Sequence, residues 1–298
     1  MYSVLIPIYN VDVSKLVREL HRQATELMLD FEIILLEDGS DTYTNENSGL
    51  SVLQGCRYFR LEANIGRSAA RNRLADFARY PYLIFMDCDA EVQHDDYLQR
   101  YANFFRDENV VVVGGTAYDT LMNAPRYSLR LKYGRKREAN DLYHHRENSF
   151  NNFATFNFLI SKSVFNTIRF DEGIEGYGHE DTLFGHALHV AGFSFFRIDN
   201  ALIHNGLDDN HTFLSKTEES VSNLYRLFSS GRYDFLVRES RLLSTFVELK
   251  NKKLVNHLAY AGKFLKPFLR WQLCSKYPSL RLYDVYKLIC LCQIAEAN

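Results

Sequence analysis

Nowhere in these 298 residues is there an apolar run long enough to cross a bilayer. The amino terminus, Met1 to Pro7, has neither a basic leader region nor an apolar stretch of signal-peptide length. These absences predict a cytosolic protein, whose contact with the inner face of a cell membrane, if it has one, is peripheral. Cysteine is scarce and odd in number: Cys56, Cys88, Cys274, Cys290 and Cys292 show no C-x-x-C spacing, which excludes a disulfide framework and a structural zinc site. The formal net charge of -2 gives no reason to expect nucleic acid or another polyanion as the principal partner. No G-x-G-x-x-G opens the first helical stretch, and Gly173, Gly176 and Gly178 come late and differently spaced, which argues against a dinucleotide dehydrogenase. Pro7-Ile8-Tyr9-Asn10-Val11-Asp12 is not a glycine-rich basic phosphate loop, which argues against a nucleotidyltransferase. Internal repeats and low-complexity linkers are also missing.

With 46% hydrophobic and 24% charged residues, the chain can bury one full-sized core and keep an accessory segment. Short apolar runs rich in β-branched and aromatic residues predict strands at Tyr2 to Ile8, Phe31 to Leu36, Cys56 to Arg60, Tyr82 to Met86 and Val110 to Val113. Helical spacing runs through Val13 to Met28, Ser68 to Arg79 and Asp95 to Phe105. This alternation predicts an α/β fold, a mainly parallel sheet flanked by helices. Asn157 to Phe165 and Phe193 to Ile203 read as further core segments, and Tyr118 to Asn151 as a long polar excursion able to lie over a site. After Asp209 the pattern turns helical. The expected division is an α/β domain over 1–210 and a helical, basic region over 211–298.

Ligands of such sheets bind beyond the carboxyl ends of the strands. Tyr9-Asn10, Glu37-Asp38-Gly39-Ser40 and Asp87-Cys88-Asp89 stand at those ends. Asp87 and Asp89 project there one residue apart, with Cys88 turned back toward the core. Two hard oxygen ligands in that place suit a divalent cation, Mn2+ or Mg2+, able to hold a diphosphate. Strand-end solvation or helix capping is the plainer explanation of the same residues.

Several motifs occur in order: Ser3-Val4-Leu5-Ile6-Pro7-Ile8-Tyr9-Asn10, Glu37-Asp38-Gly39-Ser40-Asp41, Asn64-Ile65-Gly66-Arg67-Ser68-Ala69-Ala70-Arg71-Asn72, Asp87 with Asp89, Asn157, Phe170-Asp171-Glu172 and Gly176-Tyr177-Gly178-His179-Glu180-Asp181. In order and spacing they resemble the family 2 glycosyltransferases with a GT-A fold, over residues 2 to about 205. The resemblance implies an inverting enzyme that takes a sugar from a nucleoside-diphosphate donor, a UDP-sugar first. Pro7, Tyr9, Asp38, Asn64, Arg71, Asp87 and Asp89 would bind that donor, Tyr9 by stacking on the base and Asp38 by accepting from a base N–H. Asp181 would be the catalytic base, removing a proton from an acceptor hydroxyl. Glu180, with Gly178 and His179, would meet the acceptor, a glycan or lipid-linked glycan of surface polysaccharide assembly. The resemblance also implies His204 as a metal or diphosphate ligand beside Asp87 and Asp89.

Each of these residues has a structural competitor. Tyr9 could be a strand-end aromatic, Asp38-Gly39 a plain turn, Arg71 a helix salt bridge, Asp181 a helix cap and His204 a merely hydrogen-bonded histidine. Glu37 stands where the family usually has a second aspartate, and His179 where it more often has a small residue. A catalytically idle sugar-nucleotide-binding subunit is the non-enzymatic alternative, and the joint presence of Asp87, Asp89 and Asp181 argues against it. His186 and His189 read as a solvated helix face, His144-His145-Arg146-Glu147 as exposed loop, and Asn210-His211-Thr212 as an accidental glycosylation sequon.

The last segment is basic. From Thr245 onward nine lysines and arginines face three carboxylates, interleaved with Phe264, Leu265, Phe268, Leu269, Trp271, Tyr283 and Tyr286. Either this segment is a helical subdomain packed on the core or on a second subunit, or it meets anionic lipid through an amphipathic face.

Overall fold

The computed structural model describes residues 1–139, 153–174 and 176–297. They divide into two compact units. One comprises Met1–Asp119, Arg137–Ile174 and Glu180–Gly206, the other Thr120–Lys136, Glu175–His179 and Leu207–Asn298.

The first unit is α/β. Its elements in chain order are β1 (Tyr2–Ile8), α1 (Ser14–Glu26), β2 (Phe31–Asp38), α2 (Thr44–Ser48), β3 (Cys56–Leu61), α3 (Arg67–Phe77), β4 (Tyr82–Met86), β5 (Ala90–Glu91), α4 (Tyr97–Ala102), β6 (Val111–Val113) and β7 (Thr116–Ala117). The second unit's α5 (Ser128–Tyr133) follows, and the chain then returns with β8 (Asn157–Ser161), α6 (Lys162–Thr167), α7 (Glu180–Val190), β9 (Phe195–Arg197) and β10 (Leu202–His204).

The main sheet has seven strands in the order β3-β2-β1-β4-β8-β6-β9. Strands β1 to β4 pair in parallel, as does β6 with β9, while β8 runs antiparallel between β4 and β6. Alternate side chains of a strand face opposite sides of its sheet. Val4, Ile6, Ile33 and Leu35 accordingly pack with Leu16, Val17 and Leu20 of α1 and Tyr97, Leu98 and Tyr101 of α4. Leu5, Ile34 and Leu36 pack on the other side with Ala70, Leu74 and Ala75 of α3 and Phe184 and Leu188 of α7. Burial on both faces explains why these strands read as unbroken apolar runs.

Asn157, at the start of β8, accepts hydrogen bonds through Oδ1 from the Tyr97 and Tyr101 hydroxyls, each at 2.7 Å, and donates through Nδ2 to the Asn200 and Gly115 carbonyls. All its polar capacity is used in fixing the carboxyl end of the sheet. A second, three-stranded sheet, β5-β10-β7, lies at that end, with β10 antiparallel to β5 so that His204 is paired with Ala90.

The second unit is helical. After α5 come α8 (Asn210–Ser229), α9 (Phe235–Glu239), α10 (Arg241–Asn251), α11 (Val255–Leu273) and α12 (Leu280–Ala297). Asp209 caps α8 by accepting from the His211 and Thr212 amides, both at 2.9 Å. Asn210, the sequon asparagine, is 2% exposed and spends its carboxamide on the Pro125 carbonyl and the Leu129 amide, which makes it a packing residue. Glu218 of α8 gathers Lys266 at 3.1 Å and Arg270 at 3.0 Å from α11 together with the Tyr286 hydroxyl of α12. Among the described residues no helix is long and apolar enough to cross a membrane.

Candidate active site

The strand ends of the first unit are tied to one another by the protein's own hydrogen bonds. Asn10, at φ +56°, accepts through Oδ1 from the Asp41 and Thr42 amides at 2.9 and 3.2 Å, and its own amide donates to Ser40 Oγ at 2.8 Å. The exit of β1 is thereby clamped to the exit of β2. Pro7 is half-buried beside that clamp, and the Tyr9 ring stands 51% exposed, open for stacking.

Asp38, the last residue of β2, accepts from the Ile65 amide at 2.7 Å, and Asn64 Nδ2 donates to the Asp38 carbonyl at 3.1 Å. Burial raises the Asp38 carboxyl above its ordinary range, opposed by the Ile65 and Gly66 amides. Gly39 lies at φ +71°, and a Cβ there would stand 2.3 Å from the Asn64 amide nitrogen, so only glycine lets the two loops meet. Glu37, the departure from the family pattern, points elsewhere. It is fully buried and accepts from Asn47 at 3.1 Å and from the Tyr58 hydroxyl at 3.4 Å, a structural pairing.

The helix α3 joins the two acidic motifs. Arg71 is 1% exposed, and its Nη2 donates to Asp87 Oδ1 at 2.6 Å, while Nε and Nη1 have no hydrogen-bond partner among the described residues. One turn earlier, Arg67 Nη1 reaches Glu180 Oε1 at 3.2 Å. Residues four apart share a helix face, so a single face of α3 presents two guanidinium groups to Asp87 and to Glu180-Asp181. Asn72 continues the arrangement: it donates to the Phe170 carbonyl and to Glu172 Oε1 and accepts from the Phe170 amide, which fixes the segment leading toward the Glu-Asp pair.

Asp181 sits in the first turn of α7, where Oδ1 accepts from the Thr182 amide at 2.7 Å. Burial pushes its carboxyl up to about 6, the Glu180 charge adds to the rise, and the Thr182 amide and the Arg71 charge oppose it. A carboxyl titrating near neutrality is matched to proton abstraction.

Asp87 and Asp89 follow β4 in a turn closed by the Ala90 amide on the Asp87 carbonyl. Between them Cys88 packs against the core, and burial with the neighbouring carboxylates pushes its thiol up to about 12, so it stays protonated as an apolar spacer. His204 Nε2 lies 3.4 Å from Asp89 Oδ2, its ring held against Phe156 and Tyr118, and its buried Nδ1 has no hydrogen-bond partner among the described residues. The next turn leaves no room for a side chain: a Cβ at Gly206 would stand 2.0 Å from Asp89 Oδ2.

Among the described residues no group of three or more His, Cys, Asp or Glu side chains could cage a metal. Asp89 and His204 form a pair, a carboxylate beside an imidazole, both of them side-chain types that can ligate a divalent cation. Asp87, one position of the acidic pair, is engaged by Arg71.

Gly178 and His179 belong to the second unit. There the Tyr177 amide donates to Glu219 Oε1 at 2.9 Å, and His179 Nε2 lies 3.0 Å from the Ser220 carbonyl. A Cβ at Gly178 would approach Ser220 Oγ to 2.7 Å. Of the other histidines, His186 is half-buried and His189 exposed on α7, while His144-His145-Arg146-Glu147 lies outside the described residues.

A comparison with curated proteins gives no match. Among solved structures, the chain is similar to residues 1–349 of TarS from S. aureus, at 14% identity and TM-score 0.52, covering 99% of this chain and 90% of that one. The same fragment in complex with UDP matches at 16% identity and TM-score 0.52, over 99% and 90% of the two chains. The mannosyltransferase PcManGT from Pyrobaculum calidifontis, in complex with GDP-Man and Mn2+, matches at 13% identity and TM-score 0.62, over 100% of this chain and 86% of that one. At such identities the likeness establishes the GT-A fold. Residues 3–169, more than half of the chain, match the model of glycosyl transferase family 2, and the chain belongs to that family.

Proposed function

We propose that the protein is an inverting glycosyltransferase that moves a sugar from a nucleoside-diphosphate donor, a UDP-sugar first, onto an acceptor hydroxyl in surface glycan or polysaccharide assembly. The observation that carries this reading is the face of α3 on which Arg71 holds Asp87 and bears on Asp181 while Arg67 holds Glu180. It gathers an anion-binding guanidinium, a carboxylate pair and a base of raised pKa into one unit.

Tyr9, Pro7, Asp38 and Asn64 hold the base and ribose end of the donor. Arg71 keeps Asp87 in place, and its charge favours the anionic diphosphate at the strand ends. Asp181 takes the acceptor's hydroxyl proton as that oxygen bonds to the anomeric carbon. The bond from that carbon to the diphosphate oxygen breaks on the opposite face, and its electron pair leaves with the nucleoside diphosphate. Glu180, steadied by Arg67, orients the acceptor. Asp89 and His204 would hold a Mn2+ or Mg2+ ion, which would supply charge neutralisation at the leaving diphosphate. The complexes of related folds with UDP and with GDP-Man and Mn2+ support this choice of donor class and cation.

The test is hydrolysis of UDP-, GDP-, CMP- and dTDP-sugars with manganese or magnesium. One donor is expected to release its sugar in a cation-dependent manner, and Asp89→Ala is expected to lower that release at least about tenfold. Binding and turnover of none of these donors would overturn the reading.

A further inference from the structure

We propose that the outer face of α11 rests on an anionic lipid surface. Within the helical unit, α11 buries Val255, Ala259, Leu269 and Leu273 on one side, with Gly262 pressed against Ile289 of α12. A helix with one buried stripe is expected to be polar on its other side. Here the opposite side is aromatic: Tyr260 is 60% exposed, Phe264 70%, Phe268 57% and Trp271 70%. At intervals of four, four and three these rings lie in one line, a flat strip about 16 Å long. The rings pair along it, Tyr260 with Phe264 at 5.6 Å and Phe268 with Trp271 at 5.9 Å.

Charge decides what covers the strip. Between Glu248 and Asp284 the chain has no carboxylate side chain but eight lysines and arginines. Lys266 and Arg270 turn inward to Glu218, whereas Lys250, Lys252, Lys253, Lys263, Lys276 and Arg281 are exposed. Lys263 lies over the Tyr260 ring at 5.8 Å, and Lys276 over that of Tyr277 at 5.5 Å. A second copy docked strip to strip would bring the cations of one 249–283 segment against those of the other, a segment without a carboxylate side chain. An anionic bilayer surface offers the reverse: headgroups for the lysines and an interfacial layer in which amphipathic rings settle. The inference is independent of the chemistry proposed for the α/β unit.

Trp271 is the chain's single tryptophan and sits within the strip, so its fluorescence reports on this face alone. The intact protein is mixed with phosphatidylcholine vesicles with and without about 30% phosphatidylglycerol, at low and at high salt. Anionic vesicles are expected to shift the emission to the blue and to allow quenching by brominated acyl chains, and salt is expected to weaken both. Lys252→Gln, Lys253→Gln and Lys263→Gln together are expected to weaken vesicle binding roughly 100-fold, with the emission in buffer unchanged. Emission indifferent to anionic vesicles at low salt overturns the proposal. So does a shift that occurs without lipid and disappears on dilution, which would mean a second copy covers the strip, or an equal shift with soluble polyphosphate.

Discussion

Asp181→Asn is expected to lower turnover by about 10²- to 10⁴-fold, the range for a lost general base, while donor binding changes by no more than about twofold. Asparagine keeps an oxygen for the Thr182 amide, so the first turn of α7 survives and only the proton acceptor is lost. The pH dependence is part of the expectation. A base must be unprotonated, and with its carboxyl raised to about 6 the wild-type rate should fall about tenfold per pH unit below that value. The variant should lack this limb.

The same substitution distinguishes a base from a helix cap. Because the folded carboxyl is raised above its ordinary value of 3.8, the native state holds the proton more tightly than the unfolded chain. Stability is therefore fullest below about 4 and is lost as the pH rises through about 6, as the carboxylate ionises in its half-buried place. Asparagine escapes that loss. The variant should be more stable than the wild type by about 1–3 kcal/mol at pH 8, with the gap closing below pH 4. A residue acting only as a cap would give the opposite sign, a loss of about 1 kcal/mol or less. Thermal unfolding at the two pH values separates the two.

Arg71→Met is expected to lower kcat/KM by about 10²–10³, as when a preorganised donor to a developing anion is removed. Two consequences follow from the side chain's buried position. Asp87 loses its 2.6 Å partner, and Asp181 loses the positive charge that restrains its carboxyl, so the acid limb of the rate profile should move above 6. Arg71→Lys keeps a charge without the planar fork. It should return the limb toward its original place while leaving much of the rate unrecovered. A limb unmoved by both changes would show that Arg71 does not bear on the base.

The parts of this site that could be read from the residues are those that repeat locally. The two-faced strands Tyr2–Ile8 and Tyr82–Met86 are continuous apolar runs, and the polar residues after them mark the sheet's carboxyl end. Arg67 falls one residue before the helical spacing that begins at Ser68 and is not singled out by it, since nothing local tells that its partner is Glu180. What escaped depends on distant pairing. Asn157 to Phe165 reads as one apolar segment, but it divides at Ser161 into a strand and a helix, and the antiparallel insertion of that strand between β4 and β6 is set by partners far along the chain. The strands β5, β7 and β10, two or three residues each, are too short for periodicity to register. Yet their pairing is what sets His204 beside Asp89. Asn10 and Gly206 likewise act through loops that meet only in the folded chain.

The central claim, single displacement at the anomeric carbon, is most directly tested by following early release of sugar from the cleaved donor by proton NMR, with water as acceptor. From an α-linked donor the account predicts that the first sugar to appear is the β anomer, equilibrating only later. Initial appearance of the α anomer would contradict it.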